Sequence, residues 1–239
     1  MSNEQSNTAK RILGVFAHPD DPEFFAGATF ARWAAEGADI TFVLATSGDK
    51  GSADPEMTHA RLIEIREAEE RAAAAVLGVN EVIFLRYADG ELTPSLQLRR
   101  DITRLIRLKK PDIVVTCDPT SWFTATHINH PDHRAIGEAT LSAVYPTARD
   151  RLNFLEMEQE EGIAPHKALQ VYIAGPTNPN TRVDVTDYMQ TQIASLREHK
   201  SQIADMDALA ERLLSMKLDP LAPADAPRHI ESFHVINLH

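Results

Sequence analysis

One cysteine, Cys117, stands in a chain of 239 residues. No intrachain disulfide can form, and a zinc site built from several thiolates is excluded. No apolar stretch is long enough to span a bilayer. The opening MSNEQSNTAK carries no apolar run, so no signal peptide is expected and the reading is a soluble cytoplasmic protein. Basic residues are few: 24 Lys and Arg against 35 Asp and Glu leave a formal net charge of -11. With no Lys/Arg-rich stripe, such a chain repels phosphate backbones, which sets nucleic acid aside as a partner. Neither Gly-x-Gly-x-x-Gly after the first strand nor a Gly-x-x-x-x-Gly-Lys-Ser/Thr run is present, so dinucleotide binding is not indicated. What is there is 43% hydrophobic and 25% charged, an ordinary globular balance. Residues 1–10 are expected to form a flexible tail and 11–239 a single domain.

Short β-branched runs alternate with longer amphipathic ones. Residues 12–16, 40–44, 82–85, 113–116 and 169–173 predict strands, and 24–36, 56–77, 96–108 and 132–144 predict helices. This alternation implies parallel βαβ units and a Rossmann-like layered α/β fold with a mostly parallel sheet. The near-continuous apolar runs fit strands covered on both faces. After Gly175 the texture changes: Pro176 and Pro179 mark a loop, and 185–214 predicts a helical C-terminal appendage. Residues 233–236 predict a late edge strand.

In open α/β sheets ligands bind beyond the carboxyl ends of the strands. The strand ends here run into His18-Pro19-Asp20-Asp21-Pro22-Glu23, Ser47-Gly48-Asp49-Lys50, Asp89-Gly90 and His130-Pro131-Asp132-His133. A turn entering a helix can aim His18 and Asp21 at one point, with Asp20 beside them and His133 on the same rim. One imidazole, one carboxylate and a second imidazole suit zinc, and three protein ligands leave a fourth position open. Each cluster alone has a simpler reading. Asp20 or Asp21 could cap a helix, Asp20-x-x-Glu23 resembles a capping box, and Asp132 could cap the helix after His130. Two such clusters on one rim favour a metal site.

Residues 17–23 with 130–133 resemble the two signature motifs of the LmbE/PIG-L family of N-deacetylases. The likeness extends through Arg66-Glu67-Ala68-Glu69-Glu70, Asp89-Gly90-Glu91-Leu92, 111–116 and 183–186. It implies a Zn2+ site, another divalent metal being the variant, held by His18, Asp21 and His133. It also implies Asp20 as general base and His130 as the group facing the developing oxyanion. Asp132 is then placed to hold His130 in its protonated form by hydrogen bond or charge. Pro22 makes the first motif one residue longer than its shortest form, which keeps the ligand spacing and carries no role over to Glu23. Arg66 reads from its neighbours as an ion pair with Glu69 or Glu70, and from the resemblance as a substrate contact. Asp89 reads as a turn former before Gly90 or as a partner for sugar hydroxyls. Trp122 and Phe123 either wall the pocket or pack, while His59, His127, His166, His199, His229, His234 and His239 read as ordinary. The function implied is removal of an acyl group, acetyl first, from the nitrogen of a small molecule such as an N-acetylglucosamine-type sugar. The alternatives are a metal-dependent hydrolase of another amide or ester, or a metal-binding module without turnover. The resemblance also implies a homo-oligomer, trimer or hexamer.

Overall fold

The computed structural model describes residues 9–223 and 225–238. The expected tail at 1–10 therefore falls mostly outside the described residues, as does His239. The five apolar runs form parallel strands β1 (Arg11–Phe16), β2 (Asp39–Thr46), β3 (Glu81–Tyr87), β4 (Ile113–Cys117) and β5 (Gln170–Ala174). Between them run α1 (Asp21–Ala35), α2 (His59–Leu77), α3 (Leu96–Lys109) and α4 (Pro131–Ser142), the last followed by a π-helical turn, Ala143–Ala148. Strands β1, β2 and β4 are buried almost end to end, because α1 and α2 cover one face and α3 and α4 the other. Phe16, Phe30 and Phe42 centre this core, with Phe30 set edge-on to Phe42 at 4.7 Å.

Element boundaries follow local chemistry. Helix α2 begins at His59 rather than at Glu56 because the Thr58 side chain accepts from the Arg61 amide and fixes the N-terminus there. It ends at Gly78, which takes φ 80°. Helix α1 begins at Asp21, three residues ahead of the expected start, and its capping position, Asp20, makes no side-chain capping bond.

The C-terminal region differs from its sequence reading in two respects. The helical stretch expected over 185–214 divides into a 3-10 turn, α6 (Met189–Leu196) and α7 (Met206–Met216). Asp205 starts the second helix afresh by accepting from the Ala208 amide. The expected edge strand is β7 (Ile230–Asn237), which lies inside the sheet, antiparallel to both neighbours. The true edge is β6 (Thr181–Asp184), four residues within the stretch read as loop and helix start, too short to show a period of two. A short helix, α5 (Leu155–Gln159), was also not expected. The appendage docks on α1 through a second apolar cluster in which Val185, Met189, Leu196, Leu209 and Leu213 surround Ala28. Among the described residues no helix is long and apolar enough to cross a membrane.

The sheet order is β3-β2-β1-β4-β5-β7-β6. The chain leaves β1 toward β2 and β4 toward β5, so the connections diverge at the β1/β4 boundary and open a crevice there. Helix α4 approaches β4 closely enough that a Cβ on Gly137 would lie 2.3 Å from the Cys117 carbonyl oxygen. Gly137→Ala must therefore push α4 off the sheet, and we expect a loss of about 1–3 kcal/mol in unfolding free energy. Urea denaturation measures it; an unchanged midpoint would contradict this close approach.

Candidate active site

The crevice receives the chain segments that leave β1 and β4. His18 follows β1 directly, while His130 and His133 arrive at the start of α4. The rings of His18 and His133 are 5.3 Å apart, and those of His18 and His130 are 4.6 Å apart and perpendicular. Asp21 lies between the outer pair. Its Oδ2 is 3.3 Å from His18 Nδ1 and its Oδ1 is 3.0 Å from His133 Nε2. The Asp21 carboxylate also accepts from the Ala17 and His18 amides, at 3.2 and 2.8 Å, which fixes its plane. Burial works against its charge, yet His133 and His18 overcome it and hold the carboxyl well below its usual range.

The two imidazoles are oriented from behind. His133 Nδ1 lies 2.9 Å from Asn129 Oδ1, an acceptor only, so Nδ1 donates there and the ring turns Nε2 toward Asp21, where a proton or a cation belongs between the two atoms. His18 Nε2 faces Asp89 Oδ1 at 3.1 Å and Asp132 Oδ2 at 3.3 Å, which leaves Nδ1 for the crevice. Asp132 is fully buried and is itself fixed by the Gly90 and Leu92 amides, at 2.7 and 3.2 Å. Both carboxylates thus serve His18. Asp89 both precedes the Gly90 turn and lines the crevice with one oxygen turned to His18. The expected hydrogen bond of Asp132 is corrected: its carboxylate bonds His18 rather than the His130 ring, which it reaches only through charge. The ring of His130 instead accepts the Asp132 amide at Nδ1, at 3.2 Å, so that His130 and not Asp132 caps α4. Burial, with His18 and His133 nearby, pushes the His130 pKa down despite the charge of Asp132. With Nδ1 accepting the Asp132 amide, Nε2 is the ring's position for a proton.

The carboxylates give the crevice a demand for positive charge. Burial opposes protonation of His18, but Asp21, Asp132 and Asp89 override it and push its pKa up to about 12. A site that holds a proton on imidazole this firmly is one in which a cation is stabilised. Ligand atoms of His18, His130 and His133 lie within 4.8 Å of one another, as do those of His18, Asp89 and Asp132. Imidazole nitrogens and carboxylate oxygens converging from both motifs form a donor set that fits a borderline divalent metal.

Asp20 stands beside this set in a left-handed backbone conformation, φ 98° and ψ -26°, unusual for a residue with a side chain. Burial, with Asp21 adjacent, pushes its carboxyl up to about 6 against the lowering effect of Arg66. Arg66 pairs with neither Glu69 nor Glu70. Its guanidinium crosses from α2 to donate to the Pro19 carbonyl (2.6 Å), the Gly48 carbonyl (3.0 Å) and Asp20 Oδ2 (3.3 Å). Gly48 at φ 65° makes this possible, since a Cβ there would sit 2.1 Å from Arg66 Nη1.

A cavity of about 570 Å³ opens over these groups, lined by His18, Asp20, Asp21, Arg66, Asp89, His130 and His133, with Lys50, His127 and Ile128 at its margins. Phe123 walls a smaller neighbouring cavity that also touches His127 and His133. Trp122 lies exposed under the Arg134 guanidinium, 4.0 Å from its ring centre. Two histidines read as ordinary are not. His127 borders both cavities, and His199 lies buried beside Glu23 and Glu70. Glu23, for which no role was carried over, points away from the crevice into that second cluster. Glu70 lies one turn beyond Arg66 on α2, an i,i+4 spacing inside the 66–70 segment that shares the family likeness.

The family described as PIG-L, GlcNAc-PI de-N-acetylase, matches residues 13–144. The diacetylchitobiose deacetylase of Thermococcus kodakarensis is 32% identical over 203 residues, covering 85% of this chain and 74% of that protein. The 1D-myo-inositol 2-acetamido-2-deoxy-alpha-D-glucopyranoside deacetylase of Kineococcus radiotolerans is 29% identical over 287 residues, covering 94% and 78%. The solved N,N'-diacetylchitobiose deacetylase from Pyrococcus horikoshii, bound to its inhibitor MPG, superposes with a TM-score of 0.83 at 28% identity, covering 96% of this chain and 84% of that one.

Arg66 satisfies two backbone carbonyls and one carboxylate from a buried position. Arg66→Leu removes all three donors, and we expect unfolding free energy to fall by about 2 kcal/mol or more. Denaturant unfolding at neutral pH tests this, and a change under about 0.5 kcal/mol would mean that the guanidinium is not holding the turn.

Proposed function

This chain belongs to the PIG-L family of GlcNAc-PI de-N-acetylases, and from that membership we propose that it is a zinc-dependent N-deacetylase of small N-acetylated amino sugars. The observation that carries the reading is the convergence of His18, Asp21 and His133 beside an Asp20 carboxyl pushed up to about 6. The family relatives act on N-acetylated glucosamine derivatives by name, diacetylchitobiose and a glucosaminyl-inositol among them. A cavity of about 570 Å³ is of a size to admit such a sugar.

We assign His18 Nδ1, Asp21 and His133 Nε2 as the groups that would hold the metal. Asp89 and Asp132 act behind His18, and Asn129 behind His133. When bound, zinc supplies Lewis acidity that lowers the pKa of water and polarises a carbonyl. The chain's own residues do the rest. Asp20 accepts the proton of the attacking water, its poise near neutrality suiting a general base, and Arg66 keeps the carboxylate aimed. His130 keeps its Nδ1 on the Asp132 amide and offers its Nε2–H to the oxyanion that develops on the amide carbonyl. Asp20 then passes its proton to the departing nitrogen, so that water and amide become acetic acid and amine. A phosphate ester would meet the carboxylates of Asp20, Asp21 and Asp89 in this cavity, while the Arg66 and Lys50 side chains there are already engaged by backbone carbonyls and by Glu91. That charge balance favours a neutral acyl group over a phosphoryl group.

Two outcomes are expected. Elemental analysis should find one tightly held divalent metal in this site; His18→Ala or His133→Ala should lose most of it. Asp132→Ala should weaken metal affinity by about 10- to 100-fold through His18. Full metal occupancy in both histidine variants would sink the ligand assignment. Incubated with a panel of N-acetylated sugars, the zinc-loaded protein should release primary amine. Asp20→Asn should keep its metal and KM while kcat falls by about 10²- to 10⁴-fold. An Asp20→Asn protein with undiminished turnover would remove Asp20 as the base.

A further inference from the structure

Asp20 has a positive φ that costs free energy for a residue with a side chain, and contacts from outside the turn hold it there. Its side chain makes no capping bond, so the left-handed backbone gains nothing from the usual Asp device. Helix α2 instead grips the Pro19–Asp20 peptide from both ends. Arg66 takes the Pro19 carbonyl at 2.6 Å, and one turn later Glu70 Oε2 accepts the Asp20 amide at 3.0 Å. Because the two contacts fix a peptide plane, they also fix the direction in which the Asp20 side chain leaves the backbone.

Glu70 is itself enclosed. It and Glu23 have no exposed surface, His199 has 1%, and none of the three lines the cavity. His199 Nε2 lies 3.5 Å from Glu23 Oε2 and 3.9 Å from Glu70 Oε2. His199 follows α6, and Gln192 on α6 donates to the Glu23 carbonyl at 2.6 Å, so the appendage presses this trio against the turn from the side opposite the cavity. We propose that Glu70, packed beside Glu23 and His199 with no hydrogen bond from His199, is a positioning residue that holds Asp20 in its left-handed turn and so aims the general base. The inference rests on the reading of Asp20 as the base. It gives the C-terminal region a task in the chemistry without any contact with substrate.

The test uses the whole chain, metal-loaded, with single variants and their combinations with Asp20→Asn. Glu70→Ala removes the acceptor of the Asp20 amide, and we expect kcat to fall by about 10- to 100-fold with KM within about twofold. Glu70→Gln retains an acceptor oxygen and should recover most of that loss, whereas Glu70→Met, which fills similar space without that acceptor, should not. In a double-mutant cycle, Glu70→Ala should cost almost nothing further in an Asp20→Asn background, because the same function has already been lost. Should Glu70→Ala fold poorly, His199→Gln alters only the packing beside Glu70 and should show a smaller kcat loss with the same non-additivity. Wild-type kcat in Glu70→Ala, or losses that add to those of Asp20→Asn, would overturn the proposal. So would a second equivalent of metal that disappears with Glu70→Ala, since the trio would then be holding an ion. A fully active Asp20→Asn protein strikes the base assignment instead, so the two failures are distinguishable.

Discussion

The compensation of negative charge in a desolvated crevice is the constraint on which the rest of this structure depends. Asp20, Asp21, Asp89 and Asp132 converge where β1 and β4 part, and three of the four are more than nine-tenths buried. In such a medium carboxylates repel strongly unless each is matched by a donor or a cation. The matching is specific: backbone amides for Asp21 and Asp132, the Lys50 amide for Asp89, and Arg66 for Asp20. His18 sits at the centre and faces three of the four carboxylates. The fold reads as a device for holding these charges together, and a bound divalent cation is the species that such a set is complementary to.

Asp20, Asp89 and Asp132 are each held by an element distant in sequence. Helix α2 supplies Arg66 and Glu70, and the turn after β3 supplies Asp89 with the Gly90 and Leu92 amides. The close approach of α4 to β4 at Gly137 fixes the start of the helix that bears Asp132 and His133. The C-terminal appendage is part of this scaffold, since α6 packs on α1 and α2 and carries the chain to His199. Asp21, Asp132 and His133 stand in the first turns of α1 and α4, and His18, Asp20 and Asp89 stand in the turns that follow the strand ends. The exposed apolar side chains of Phe123 and Ile128 border the two neighbouring cavities.

The sequence by itself determined the fold class and the rim. Periodicity marked the five parallel strands because their apolar runs are continuous, and the strand ends then marked where polar residues gather. His18, Asp20, Asp21, His130 and His133 were legible because each lies next to a strand end or helix start in an identifiable motif. Only the tertiary structure decided the rest, because those relations join residues far apart in the chain. The partner of Asp132 is 114 positions away at His18, and that of Arg66 is 46 positions away at Asp20. No spacing rule reports such pairs, so Arg66 read as an ion pair along its own helix and Asp132 as the partner of its neighbour. The interior place of β7 was hidden because β6 is short and its pairing antiparallel and late in the chain. Glu23, Glu70 and His199 were invisible together for the same reason: each is unremarkable locally, and only packing α6 against α1 and α2 brings them into one buried cluster.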